Sequence, residues 1–273
     1  MFRTDTYYPE PPANFIEAGS RALLLNIRCG GNAVLLLLEA CRWMTHILKR
    51  RQEVGRQLFV VDIKSFGVTS TVALFTGMIL ALQAGLILKG YNQEVNVGIL
   101  VSQTMCREMG PFMTALILAA SVGSAMAAEL GTMTVSEEID ALTVMSINPV
   151  RYIVMPRIVA LMVMCPVLTV YTDIIGILGG GLIANTQLDV SWTAYLRNAV
   201  HGSSASQMLT LKEIYTGMCK ALVFGTVVAT ISCYQGLVTT NGAIGVGKAT
   251  RRAVVISFLL VLVIGYVMTR LFY

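Results

Sequence analysis

Charge is what this sequence has least of. Asp, Glu, Lys and Arg make up only 13% of its 273 residues, about half the share of a soluble globular domain. With 55% hydrophobic residues and a mean hydropathy of +0.70, the composition excludes an ordinary soluble enzyme and points to the bilayer. Metal and redox motifs are missing too. The six cysteines, Cys29, Cys41, Cys106, Cys165, Cys219 and Cys233, form no CxxC pair, and most lie inside apolar runs. They read as small buried hydrophobes, with neither a disulfide framework nor a zinc site. No nucleophile stands near a plausible base. The first residues, MFRTDTYYPEPPANF, are polar and rich in proline. No apolar stretch follows them directly, so no cleavable signal peptide is expected.

Long apolar runs are present. A spanning helix needs about 20 mostly apolar residues. Five stretches qualify: Phe66 to Leu88, Val97 to Ala128, Ile158 to Ile183, Ile214 to Val238 and Val254 to Phe272. The expected fold is therefore an all-α integral membrane protein. Before the first span, Ala22 to Met44 is broken by Arg28, Gly30-Gly31, Glu39 and Arg42. It reads as an interfacial elbow helix with Trp43 at the headgroup level; a sixth span is the alternative. The resulting division is a polar tail over 1–21, an elbow helix and basic linker over 22–64, and a five-span membrane domain over 65–273.

Lys and Arg set the orientation. Arg42, Lys49, Arg50, Arg51, Arg56 and Lys64 precede span one, Arg151 and Arg157 follow span two, and Lys248, Arg251 and Arg252 follow span four. The opposite side carries only Lys89, Arg197, Lys212 and Arg270. The N-terminus is expected in the cytoplasm and the C-terminus outside. His46 and His201 then fall on opposite sides and share no metal. The outer connection SWTAYLRNAV repeats apolar residues at Trp192, Tyr195, Leu196 and Ala199. It reads as an amphipathic helix over 190–201 lying on the outer surface.

One cytoplasmic stretch breaks the apolar monotony: ELGTMTVSEEIDALTVMSINP, Glu129 to Pro149. Thr134 and Glu137 have capping-box spacing. Glu137, Glu138 and Asp140 crowd the first turns, where the helix dipole favours negative charge. Val135, Ile139, Leu142 and Met145 define an apolar face. A short helix over 134–148 is expected. Helices resting on the anionic cytoplasmic leaflet usually have basic faces, so an acidic one points to a protein partner; a surface connector is the bland alternative.

Intramembrane charges are costly and face a cavity or a partner. Arg107 and Glu108 lie inside span two, Asp173 inside span three, and Lys220 a few residues into span four. Glu108 and Lys220 fall in the outer half, where a cation and an anion could complement a lipid headgroup. An interhelix ion pair that only fixes packing is equally compatible. The run GAIGVGK, Gly242 to Lys248, nearly spells a phosphate-binding loop. Ala249 stands where Ser or Thr is needed, and no strand precedes it. Any nucleotide hydrolysis must come from another protein.

From Arg107 to Ala160 the sequence resembles the MlaE (YrbE) permeases of MCE-associated phospholipid ABC transporters. The matching pattern is R-E-x-G-P, then G-S-A-x-x-A-E-L-G-T-M, E-E-I-D-A-L, N-P and P-R. Weaker likeness runs from about residue 20 to the end. The resemblance implies a homodimeric inner-membrane permease subunit, with no cofactor of its own and no nucleic acid partner. It implies a coupling helix, with Glu137, Glu138, Ile139, Asp140, Leu142 and Met145 docked on a cytoplasmic ABC ATPase that holds ATP and Mg. It further implies an MCE-domain ring on the outer face, a STAS-domain protein on the ATPase, and a lipid cavity lined by Gln83, Leu86, Tyr91, Arg107, Glu108 and Lys220. Two positions depart from the family. Ser121 stands where Arg is common, and the last span lacks an acid near Gly265-Tyr266. Outside the family, Asp173 as a proton relay fits an ion-coupled secondary transporter, and a lipid-cleaving enzyme lacks a convincing acid-base pair.

Overall fold

The computed structural model describes residues 30–43, 51–201 and 211–272, without the side chains at 51–54, 56–64 and 211. The expected tail over 1–21 and the first part of the elbow lie outside them. Among the described residues every element is helical. Five helical stretches are long and apolar enough to cross a membrane: Ser65–Lys89, Glu94–Val135, Val150–Gln187, Lys212–Leu237 and Gly242–Phe272.

The elements are α1 (30–43), α2 (Arg51–Lys89), α3 (Val97–Thr104), α4 (Gly110–Leu118), α5 (Ser124–Val135), α6 (Glu138–Val144), α7 (Met155–Gln187), α8 (Trp192–His201), α9 (Leu211–Leu237) and α10 (Gly242–Phe272). The expected basic linker is already part of α2, which starts at Arg51. Span two is α3, α4 and α5 joined by π turns at Met105–Met109 and Ala119–Gly123. The first turn has a cause in the sequence. Pro111 has no N–H and its ring crowds the carbonyl four residues back, that of Arg107. A local widening of the helix relieves the clash.

Helix α7 is the central element; 72% of its most apolar window is buried, against 22% for span one and 17% for α10. Along α2, Ser65, Thr69, Ala73, Gly77, Ala81 and Gly85 recur every fourth residue, and all are buried. This stripe lies on Gly176 and Gly179 of α7. A Cβ on Gly77 would strike the Gly176 carbonyl, and one on Gly179 would lie 2.6 Å from the Leu74 carbonyl oxygen. In lipid, where apolar burial drives no association between helices, such close packing through small residues holds spans together. A larger cluster, including Leu118, Leu130, Leu161, Phe224 and Tyr234, joins span two, α7 and α9.

Helix α8 forms where the apolar spacing predicts it, but it is packed down rather than resting on the surface. Tyr195 is fully buried, and its hydroxyl donates to the Ile177 carbonyl of α7 at 3.0 Å. Burial pushes its phenol above the ordinary tyrosine range. Helix α10 begins at Gly242, well before the expected Val254. The run from Gly242 to Lys248 is therefore helical, and no phosphate-binding loop forms there.

Candidate functional site

The acidic segment folds differently from the single helix expected over 134–148. Thr134 is still inside α5, and its hydroxyl donates to Leu130 O at 2.7 Å and to Gly236 O at 3.3 Å. It caps nothing, so the capping box does not form. The chain turns instead at Glu137, whose φ of 61° is left-handed, and turns again at Ser146, also at 61°. Non-glycine residues in this region are uncommon and mark tight corners. Helix α6 is the short rod between the two corners.

Glu137, Glu138 and Asp140 are exposed, while Ile139 and Leu142 are half-buried against the large core cluster. Met145, at 61% exposure, faces out, and so does Val144, the most exposed large apolar residue among the described ones at 84%. The predicted apolar face thus divides. Ile139 and Leu142 seat α6 on its own bundle, and Met145 joins the acids outside. The pattern missed Val144 because it falls off the Ile139–Leu142 stripe, and on a rod this short the outer face shows only as an apolar residue out of phase.

The intramembrane charges are gathered by the π turn at Met105–Met109. Lys220 of α9 is only 1% exposed. Its Nζ donates to Glu108 Oε1 at 2.6 Å, to Arg107 O at 3.0 Å and to Thr269 Oγ1 at 2.9 Å. Those three bonds use all three ammonium protons. The Arg107 carbonyl is the one that Pro111 cannot supply with an amide, so Lys220 fills a vacancy that proline created. Thr269 of α10 also donates to Glu108 Oε1, at 2.9 Å. The Arg107 guanidinium turns to Glu213 of α9 and pairs with its Oε1. The side chains of Arg107 and Glu108 remain 36% and 42% exposed, and that of Glu213 only 6%.

Sequence reading found Arg107, Glu108 and Lys220 but missed Glu213 and Thr269. Glu213 lies just ahead of the Ile214 span boundary, and a threonine in an apolar helix carries no signal of its own. Gln83, Leu86 and Tyr91 are exposed at the Lys89 end of span one, and the ion-pair group closes without them. Asp173 presses on span two at Gly110, where an added Cβ would collide with Oδ1; that oxygen is buried without a hydrogen-bond partner. At the other end of the bundle, Glu129 and Arg157 pair at 3.1 Å, tying span two to α7. Among the described residues, no cluster of His, Cys, Asp or Glu is arranged to hold a metal.

The sequence model of the family described as Permease MlaE matches residues 54–271. The chain belongs to the MlaE permease family. A probable ABC transporter permease protein of Rickettsia prowazekii is 39% identical over 80% of this chain and 82% of its own length. One of Synechocystis is 34% identical, covering 84% of this chain and 86% of itself. The intermembrane phospholipid transport system permease protein MlaE of Haemophilus influenzae is 30% identical over 95% of this chain and 98% of its own. As in the family reading from the sequence, this MlaE-family chain is an all-helical, multi-pass membrane permease.

Proposed function

We propose that this chain is the membrane subunit of an ATP-driven phospholipid transporter that maintains outer-membrane lipid asymmetry, moving lipid between the inner membrane and an MCE-protein channel. The observation that carries the reading is α6: an exposed acidic rod between two sharp corners, with Val144 and Met145 turned outward. A cytoplasmic ABC ATPase, which holds ATP and Mg and carries a STAS-domain protein, receives this rod. The N-terminus is cytoplasmic, the C-terminus periplasmic, and two copies form the working permease. The relatives in Rickettsia prowazekii, named as a probable ABC transporter permease, and in Haemophilus influenzae, named as a phospholipid transport permease, support the same reading.

The intramembrane group has a narrower role than a generic headgroup site. With its three donors spent on protein, Lys220 is a strut in this conformation. Arg107 and Glu108, partly exposed, are the polar residues that meet lipid.

The test is co-purification of the ATPase with the tagged chain, before and after Glu137→Lys with Glu138→Lys. Reversal of two contact charges is expected to weaken association by on the order of 2 kcal/mol, roughly thirtyfold. Undiminished ATPase recovery would count against docking through α6. A second reading, ion-coupled secondary transport, draws on the unpartnered Asp173 Oδ1. It requires lipid movement by this chain alone under a proton gradient, abolished by Asp173→Asn.

A further inference from the structure

Helix α1 is held from two sides. Ala33, Leu36 and Ala40 are 4%, 1% and 2% exposed. They pack in the cluster that also holds Val150, Ile153 and Val154, the π turn that opens α7. Val34, Leu35 and Leu38 form the other face, each more than half exposed. A helix with one face on protein and the other apolar and exposed is suited to the lipid interface.

The end of α1 grips the chain that leaves α6. Asn148 donates through Nδ2 to Glu39 Oε1 at 3.0 Å. The Arg151 guanidinium lies 4.8 Å from the centroid of the Trp43 ring, within the range of a cation–π contact. Glu39 and Trp43 are one helical turn apart and share a face. Asn148 works at both ends, because its Oδ1 also accepts from the backbone amides of Val150 at 2.8 Å and Arg151 at 3.4 Å. The two contacts fall immediately after the left-handed corner at Ser146. On the other side of α6, Thr134 ties the chain ahead of the Glu137 corner to α9 through Gly236 O.

We propose that Glu39, Trp43, Asn148 and Arg151 form a latch that makes the membrane-seated helix α1 move with the α6–α7 turn. The inference rests on the reading of α6 as the ATPase-docking helix, and it adds what happens after docking. Two left-handed corners would let α6 pivot, and a push would dissipate in the turn. The latch braces the second corner, so displacement of α6 reaches both α7 and the lipid interface around α1. Glu39 and Asn148 are positioning residues; neither is part of the docking surface.

The test uses the full chain with its ATPase in phospholipid vesicles, reading lipid moved per ATP hydrolysed together with ATPase recovery. Asn148→Asp keeps the Oδ1 acceptor for both amides but sets a carboxylate against Glu39. It is expected to retain the ATPase while lipid moved per ATP falls about fivefold or more, the range of couplings carried through a contact network. Glu39→Lys alone should fall similarly. The double variant Glu39→Lys with Asn148→Asp, restoring opposite charges, should return to within about twofold of the parent. Unchanged coupling in both single variants, or a double variant no better than the worse single, would overturn the latch.

Should the Asn148 variants fail to fold, Trp43 decides. Trp43→Phe keeps a ring under Arg151 and should hold coupling, whereas Trp43→Leu should lose it; equal behaviour overturns the proposal. Loss of the ATPase from the latch variants also overturns it, since they leave the α6 acids in place. Retention of the ATPase by the Glu137 and Glu138 reversal sinks the docking reading instead.

Discussion

Where α2 meets α7, hydroxyls, methyls and bare backbone bring the two helices into contact at Gly77 and Gly176. Where the π turn at Met105–Met109 meets α9 and α10, contact is made by Arg107, Glu108, Lys220, Glu213 and Thr269. Both seams lie within the bilayer-length part of the chain, yet they hold by different means. The first has no slack, because sliding brings carbonyl against Cα. The second is held by charge: Lys220 commits all three of its protons to Glu108, the Arg107 carbonyl and Thr269, so a displacement there breaks bonds rather than meeting backbone.

Four variants break or sharpen this contrast, in descending order of expected effect. Gly77→Leu should destabilise the bundle by at least about 3 kcal/mol, since the obstacle is backbone rather than a side chain that can swing away. A thermal melt in detergent reads it, and near-parental stability would refute the no-slack seam. Glu108→Ala should come next, at about 2–3 kcal/mol, because it leaves the buried Lys220 charge with two neutral acceptors and no counter-charge, while the lost carboxylate was itself partly solvated. Lys220→Met should be milder, on the order of 1–2 kcal/mol, since it removes the buried charge and leaves a partly exposed carboxylate. Equal losses in those two variants would show that Lys220 is less enclosed than the geometry says. Thr269→Val should cost only about 1 kcal/mol, one hydrogen-bonded hydroxyl, read by the same melt.

The five spans and the outer helix were legible because apolar length and period dominate in a membrane chain. The α2 stripe went unread: Ser65 to Gly85 at four-residue spacing is a packing pattern, but it hides inside a run that reads simply as hydrophobic. Helix α6 was half legible. Its acids and position could be read; its corners could not, because Glu137 and Ser146 adopt a left-handed backbone that their residue types do not announce. The ion pairs followed the same rule. Lys220 and Glu108 stand out as charges in apolar helices, but their pairing depends on the rotation of three helices about their axes. Pro111 held a local clue, since a proline inside a span leaves a carbonyl to be satisfied by something else. The family departures find physical counterparts. Ser121 bonds to Ile117 O at 2.7 Å and lies 3.4 Å from the Ser65 hydroxyl. Thr269, one turn beyond Gly265, gives Lys220 an uncharged acceptor on the span that lacks the expected acid.

The most direct measurement is lipid movement against a concentration gradient in vesicles containing this chain with or without its ATPase partner. The account predicts movement only when both proteins and hydrolysable ATP are present, and its loss when Glu137 and Glu138 are reversed in charge. Uphill movement by this chain alone would contradict it.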